Sequence, residues 1–176
     1  MSSQLRILVL GDVIGRPGIR AVVANAGALR RRYKADLLIV NGENADDGFG
    51  LSSEIADQLL SAGADVITSG NHIWQNDAVE HLLESDRPVL RPANYPAGCP
   101  GKGHVMLFIK QTPICVVNLQ GRVRMPLSDC PFRKFREIKK KELSKTKIVV
   151  VDFHAEATEE KEAMALSMDG SVTLFY

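Results

Sequence analysis

Three apolar runs that end in glycine, each followed by a helical pattern, constrain this chain more than any other feature. "LRILVLG" (5–11), "DLLIVNG" (36–42) and "DVITSG" (65–70) are rich in leucine, isoleucine and valine and read as buried strands. A helical segment follows Pro17, a residue suited to a first helical turn. "SSEIADQLLSAG" (52–63) is amphipathic, with Ser52 as N-cap and Gly63 as stop. "DAVEHLLES" (77–85) is the next helix, with Asn76 before it as cap. Strands that alternate with helices predict a layered α/β domain whose central sheet is largely parallel.

The second half adds antiparallel character. A loop-rich stretch, "PVLRPANYPAGCPGKG" (88–103), leads into "HVMLFIK" (104–110) and "PICVVNLQG" (113–121), with "QT" between them. That spacing predicts a hairpin, so the sheet is mixed. A basic helix over about 132–145, the strand "KIVVVDF" (147–153), a helix opening at Thr158 and a final strand "SVTLFY" complete the order. Glu159 and Glu160 fall in the first turn of that last helix, where they complement its dipole. No repeat or low-complexity linker interrupts the chain, and 176 residues with 45% apolar content fit a single domain over 1–176.

Charge excludes some partners. Lys and Arg number 22 against 21 Asp and Glu, so no global field recruits nucleic acid or a membrane. The clusters Arg30-Arg31-Arg32 and Lys139-Lys140-Lys141 read as solvated helix faces, although they permit RNA contact. Cys99, Cys115 and Cys130 have no metal-like spacing and leave an odd thiol, which suits a reducing cytoplasm. No apolar run is long enough to span a membrane, and the start "MSSQLRILVL" does not form a signal peptide.

The polar residues cluster where such sheets bind ligands, at the carboxyl ends of the strands. One strand ends in Gly11-Asp12, the next in Asn41-Gly42-Glu43-Asn44, the third in Gly70-Asn71-His72, and a later one in Asp152-Phe153-His154. Taken singly, Asp12 reads as a helix cap, Glu43 and Asn44 as turn residues, and His154 as a hydrogen-bonded loop histidine. Their recurrence at four strand ends favours a shared site of carboxylate, amide and imidazole, a donor set for divalent metals. "GDVIGRPG" (11–18) is not a dinucleotide fingerprint. Its glycines are misplaced, and Asp12 would repel a pyrophosphate.

The stretches "GDVIGRPG", "NGENADDGFG", "TSGNHIW", "RPANYP", "NLQGR" and "DFHAEATEEK" resemble the YmdB-like family of 2′,3′-cyclic-nucleotide phosphodiesterases, within the calcineurin-like metallophosphoesterases. The resemblance implies a layered calcineurin-like α/β fold and two divalent ions, iron or manganese, with zinc as a further candidate. It assigns Glu43 as the bridging ligand, Asp12 and Asn44 to the first metal, Asn71 and His154 to the second, and His72 as proton donor. A metal-activated hydroxide would then attack the phosphodiester.

Two departures follow from the same comparison. Ile14 stands where the broad superfamily has the histidine of Asp-x-His, and Asn44 is the implied replacement. The superfamily's Gly-x-His-x-His element is absent from a sequence ending at Tyr176, so two imidazoles fall outside it. The expectation is a C-terminally truncated form with weaker metal binding and impaired turnover. His81, in an amphipathic helix, and His104, opening a hairpin strand, read as ordinary. The alternative is a catalytically weak module that binds metal, nucleotide or RNA. A purely structural domain leaves the strand-end residues unexplained. A homo-oligomer could form through the edge at "SVTLFY".

Overall fold

Strand β1 (Ile7–Leu10) lies parallel to β2 (Leu37–Asn41), and β2 lies parallel to β3 (Val66–Thr68), forming a three-stranded sheet. The computed structural model describes residues 4–176 except 77 and 143. It divides into two compact units, one ending at Val89 and the other spanning Leu90–Tyr176. Asp77, the first residue of the helix read over 77–85, and Leu143, within the helix read over 132–145, lie outside the described residues, as do residues 1–3.

In the first unit β2 is buried along its whole length, as its unbroken apolar run requires. Helix α1 (Gly15–Tyr33) buries Ile19, Val22 and Ala26 on one stripe. It begins two residues before Pro17, which therefore sits inside the first turn, where its missing N–H is harmless. At its other end Lys34 adopts φ 50° and donates its N–H to the carbonyls of Arg30 and Arg31. Arg30 departs from the solvated-face reading. Its guanidinium donates to the carbonyl of Gly63 at 2.8 Å and pairs with Asp65 at 3.0 Å. Helix α2 (Ser53–Ser61) has the expected cap, Ser52 Oγ accepting from the Ile55 N–H at 3.5 Å. Helix α3 (Val79–Glu84) is shorter than the pattern suggests, and Asn76 Oδ1 accepts from the Ala78 N–H just before it.

The second unit carries a four-stranded mixed sheet in the order β4 (His104–Ile109), β5 (Thr112–Gln120), β6 (Ile148–His154), β7 (Leu174–Phe175). β4 and β5 form the expected antiparallel hairpin, turning at Lys110 and Gln111 with φ 49° and 65°. β5, β6 and β7 are parallel. Helix α4 (Pro131–Glu142) buries Phe135 and Ile138, and its last-turn lysines complement the helix dipole. Cys115, Val117, Leu119, Val149, Val151 and Phe153 all enter one core with residues of α4 and α5 (Thr158–Met168). The mixed α/β class expected from the sequence is the one observed, and the strands fall into two sheets. Among the described residues, no helix is long and apolar enough to cross a membrane.

Parts of the loop-rich stretch turn out to be fasteners. Asn94 of "RPANYP" is fully buried; its Oδ1 accepts from Gln120 N–H at 2.9 Å, and its Nδ2 donates to the Gln120 and Asp129 carbonyls. Gly103 lies against the same stretch, where a Cβ would stand 2.3 Å from Ala93 Cα. Because backbone cannot yield as a side chain can, Gly103→Ala should lower stability by about 1–3 kcal/mol. Thermal unfolding checks this, and an unchanged midpoint would show that the loop moves aside freely.

Candidate active site

The carboxyl ends of three parallel strands share one rim of the first unit's sheet, and backbone hydrogen bonds tie their continuations together. Val13 N–H donates to Asn41 O at 3.0 Å, Gly15 N–H to Asn44 O at 2.8 Å, and Gly42 N–H to Thr68 O at 3.0 Å. The chain after β1 is thereby laid beside the chain after β2. Gly42, which makes the third tie, has little room for a side chain, since a Cβ there would press within 3.1 Å of Ile67 and meet Leu59 and Leu51.

Asn44 is the hub. Its Nδ2 donates to Asp12 Oδ2 at 2.7 Å and to Glu43 Oε1 at 3.3 Å. Its Oδ1 stands 2.6 Å from His72 Nδ1. Glu43 is 1% exposed, while Asp12 lies open to solvent. Glu43 Oε2 accepts the His72 backbone N–H at 3.2 Å, and Oε1 lies 3.6 Å from the His72 ring. That backbone bond comes from the 3₁₀ turn Asn71–Gln75, which replaces the strand immediately after Gly70. An amide oxygen must accept, so in this contact Nδ1 of His72 carries the proton.

Three of the residues singled out in the sequence, Asp12, Glu43 and His72, are therefore each within hydrogen-bonding reach of a fourth, Asn44. Asn71 opens the same 3₁₀ turn and is half-buried. His154 ends β6 in the second unit, with its carbonyl accepting the Gly121 N–H at 2.9 Å. His81 is exposed on α3. His104 opens β4 with Nε2 3.9 Å from Glu142, and burial pushes its pKa below the ordinary value while Glu142 opposes that shift.

The residues fit a divalent cation. Two carboxylates converge on one amide nitrogen, and one of them is buried, an arrangement that a cation relieves. Among the described residues, no three His, Cys, Asp or Glu side chains are grouped closely enough to hold an ion by themselves. An ion at this rim would therefore need other donors beside the carboxylates, and the Asn44 amide already stands among them. Asn44 Oδ1 has two lone pairs, so it can face both His72 and an ion.

Sequence reasoning passed over several polar residues in each unit. Asn41 Oδ1 accepts the Glu43 N–H at 3.2 Å, closing a tight turn under the carboxylate. In the second unit Asn118 pairs in register with Asp152, and Gln120 with His154, so these four side chains share the face opposite the core. Gln120 is fully buried and its Oε1 has no hydrogen-bond partner among the described residues. The alternation in "VVNLQG" and "VVDFH" carried that signal. Glu160 also does more than balance a helix dipole, because its carboxylate accepts the N–H groups of Arg122 and Val123 at 2.9 and 3.1 Å. Gly121 makes room for it, as a Cβ there would collide with Glu160 and Ala155.

The profile of the YmdB-like protein family matches residues 8–176. The chain belongs to the YmdB-like family. It is 41% identical over 166 residues to a 2′,3′-cyclic-nucleotide 2′-phosphodiesterase of Bacillus subtilis, covering 94% of this chain and 63% of that protein. Among solved structures it is similar to a protein of Thermus thermophilus, with TM-score 0.91, 43% identity, 97% of this chain and 66% of that one. It is also similar to a phosphatase of Mycoplasma pneumoniae, with TM-score 0.90, 34% identity, 98% of this chain and 63% of that one. This YmdB-like chain thus spans a little under two thirds of the length of these relatives. The layered metallophosphoesterase fold expected from the motifs is shared with them.

Proposed function

We propose that this YmdB-like chain is a metal-dependent phosphodiesterase acting on 2′,3′-cyclic nucleotides. In this reading Asp12, Glu43, Asn44, Asn71 and His154 hold two divalent ions, iron or manganese, and His72 is the proton donor. The cluster of Asp12, Glu43, Asn44 and His72 around one amide carries the proposal. Bound ions would supply Lewis acidity and a nucleophile at neutral pH. The chain's own residues do the rest. Asn41 Oδ1 holds the Glu43 backbone N–H, and the His72 backbone N–H holds carboxylate Oε2, so the buried side chain is oriented before any ion arrives. Asn44 holds Nδ1 of His72, and this orients Nε2 for the substrate. A water oxygen bonds to phosphorus, and a protonated His72 gives its Nε2 proton to the 2′ oxygen as the bond from phosphorus to that oxygen breaks, leaving a 3′-monophosphate. His154 enters on the family resemblance; within its own unit it pairs in register with Gln120, whose Oε1 has no hydrogen-bond partner among the described residues. A cytoplasmic setting belongs to the same proposal, consistent with the free thiols of Cys99, Cys115 and Cys130.

The test is incubation with 2′,3′-cyclic AMP, with manganese or with a chelator, and separation of the products. Manganese-dependent appearance of 3′-AMP is the expected result. Hydrolysis undiminished by the chelator, or none from a protein that demonstrably holds manganese, would sink the proposal.

A further inference from the structure

Phe49 is 61% exposed, an unusual place for a large aromatic side chain, and its ring stands edge-on to the His72 imidazole with centroids 5.0 Å apart at 76°. The loop that carries it is built rather than loose. Asp46 N–H donates to Gly50 O at 3.0 Å, Phe49 N–H donates to Asp46 O at 2.9 Å, and Asn76 Nδ2 holds Asp46 Oδ2 at 2.9 Å. Asp47, Gly48 and Gly50 take φ of 48°, 102° and 82°, turning the chain so that residue 49 projects. Gly50 also lies close to Asn76, where a Cβ would approach its backbone nitrogen to 3.3 Å. Burying a phenylalanine stabilises a fold, yet this turn holds it in water beside a polar cluster.

We propose that Phe49 is a specificity-determining residue whose exposed ring stacks on the nucleobase of the substrate. The inference rests on the phosphodiesterase reading and adds what the site recognises beyond phosphate. An aromatic ring accepts any base, because every base has a π-face. The loop should therefore separate nucleotides from base-free phosphoesters and discriminate little among the four bases. The edge contact with His72 places that platform next to the proton donor, where the base of a cyclic nucleotide would lie one ribose away from the phosphate.

Equilibrium titration in manganese with 3′-AMP, the product of cleavage at the 2′ bond, and separately with inorganic phosphate provides the test. Phe49→Ala should weaken 3′-AMP by about tenfold or more, a typical loss for one stacked base. Phe49→Tyr should stay close to the parent, and all three proteins should bind phosphate alike. If Phe49→Ala binds 3′-AMP as tightly as the parent, the stacking role is wrong while the phosphodiesterase reading stands. If Phe49→Ala loses phosphate equally, Phe49 acts through His72 or the loop and the inference is overturned. If the parent protein binds neither probe, the inference and the reading beneath it fall together.

Discussion

Glu43→Gln should abolish binding of manganese while leaving the metal-free protein at least as stable. The carboxylate is 1% exposed and lies within reach of Asn44 and His72. Replacing a buried charge by a neutral isostere removes desolvation cost, and the new amide oxygen can still accept the His72 N–H. With metal the order reverses. An ion that binds only the folded chain stabilises it by RT ln(1 + [L]/Kd), about 2.7 kcal/mol at one hundred times Kd. The parent should gain that increment in manganese and Glu43→Gln should gain almost none. Thermal unfolding with and without manganese, beside metal analysis, reads both halves. Equal metal content in the two proteins would remove Glu43 from the site.

His72→Ala should separate chemistry from metal binding. The imidazole is tied through Nδ1 to Asn44, and its ring is 31% exposed, so it can meet a substrate without opening the fold. Removing a positioned proton donor costs about 10²–10⁴ in turnover. Metal content should be kept, because the His72 contact to Glu43 that orients the carboxylate comes from the backbone and survives the substitution. A substrate with a good leaving group, such as bis(p-nitrophenyl) phosphate, should lose much less, since its departing oxygen needs no proton. Loss of metal together with turnover would make His72 a ligand. Equal loss on both substrates would deny it the role of donor.

Much of the rim was legible because glycine, amide and acid recur behind apolar runs, and the parallel ladder brings those ends to one side. The roles within the rim were less legible. Asn44 reads as one ligand among several, whereas its amide joins Asp12, Glu43 and His72, a property of side-chain direction and not of spacing. Phe49 was lost inside "NADDGFG", where glycines predict a turn but not which side chain it presents. Asn94 and Glu160 were invisible as fasteners, because their partners lie 26 or more residues away. Helix ends shifted by a few residues, as at Gly15 before Pro17 and at Val79 after Asn76, where the N-cap residues Ile14 and Ala78 make no side-chain cap bond.

The most direct test of a strand-end metal site is a manganese titration followed by nuclear magnetic resonance, since the paramagnetic ion broadens signals only of nuclei near it. At substoichiometric manganese, the side-chain amides of Asn44 and Asn71, the backbone amides of residues 42–44 and 71–72 and the rings of His72 and His154 should broaden first. Glu43→Gln should leave the same signals sharp. Broadening centred instead on Asp46, Asp47 and Glu54, which line a separate cavity of about 380 Å³ with Arg16 and Arg20, would place the ion away from the rim and contradict the account.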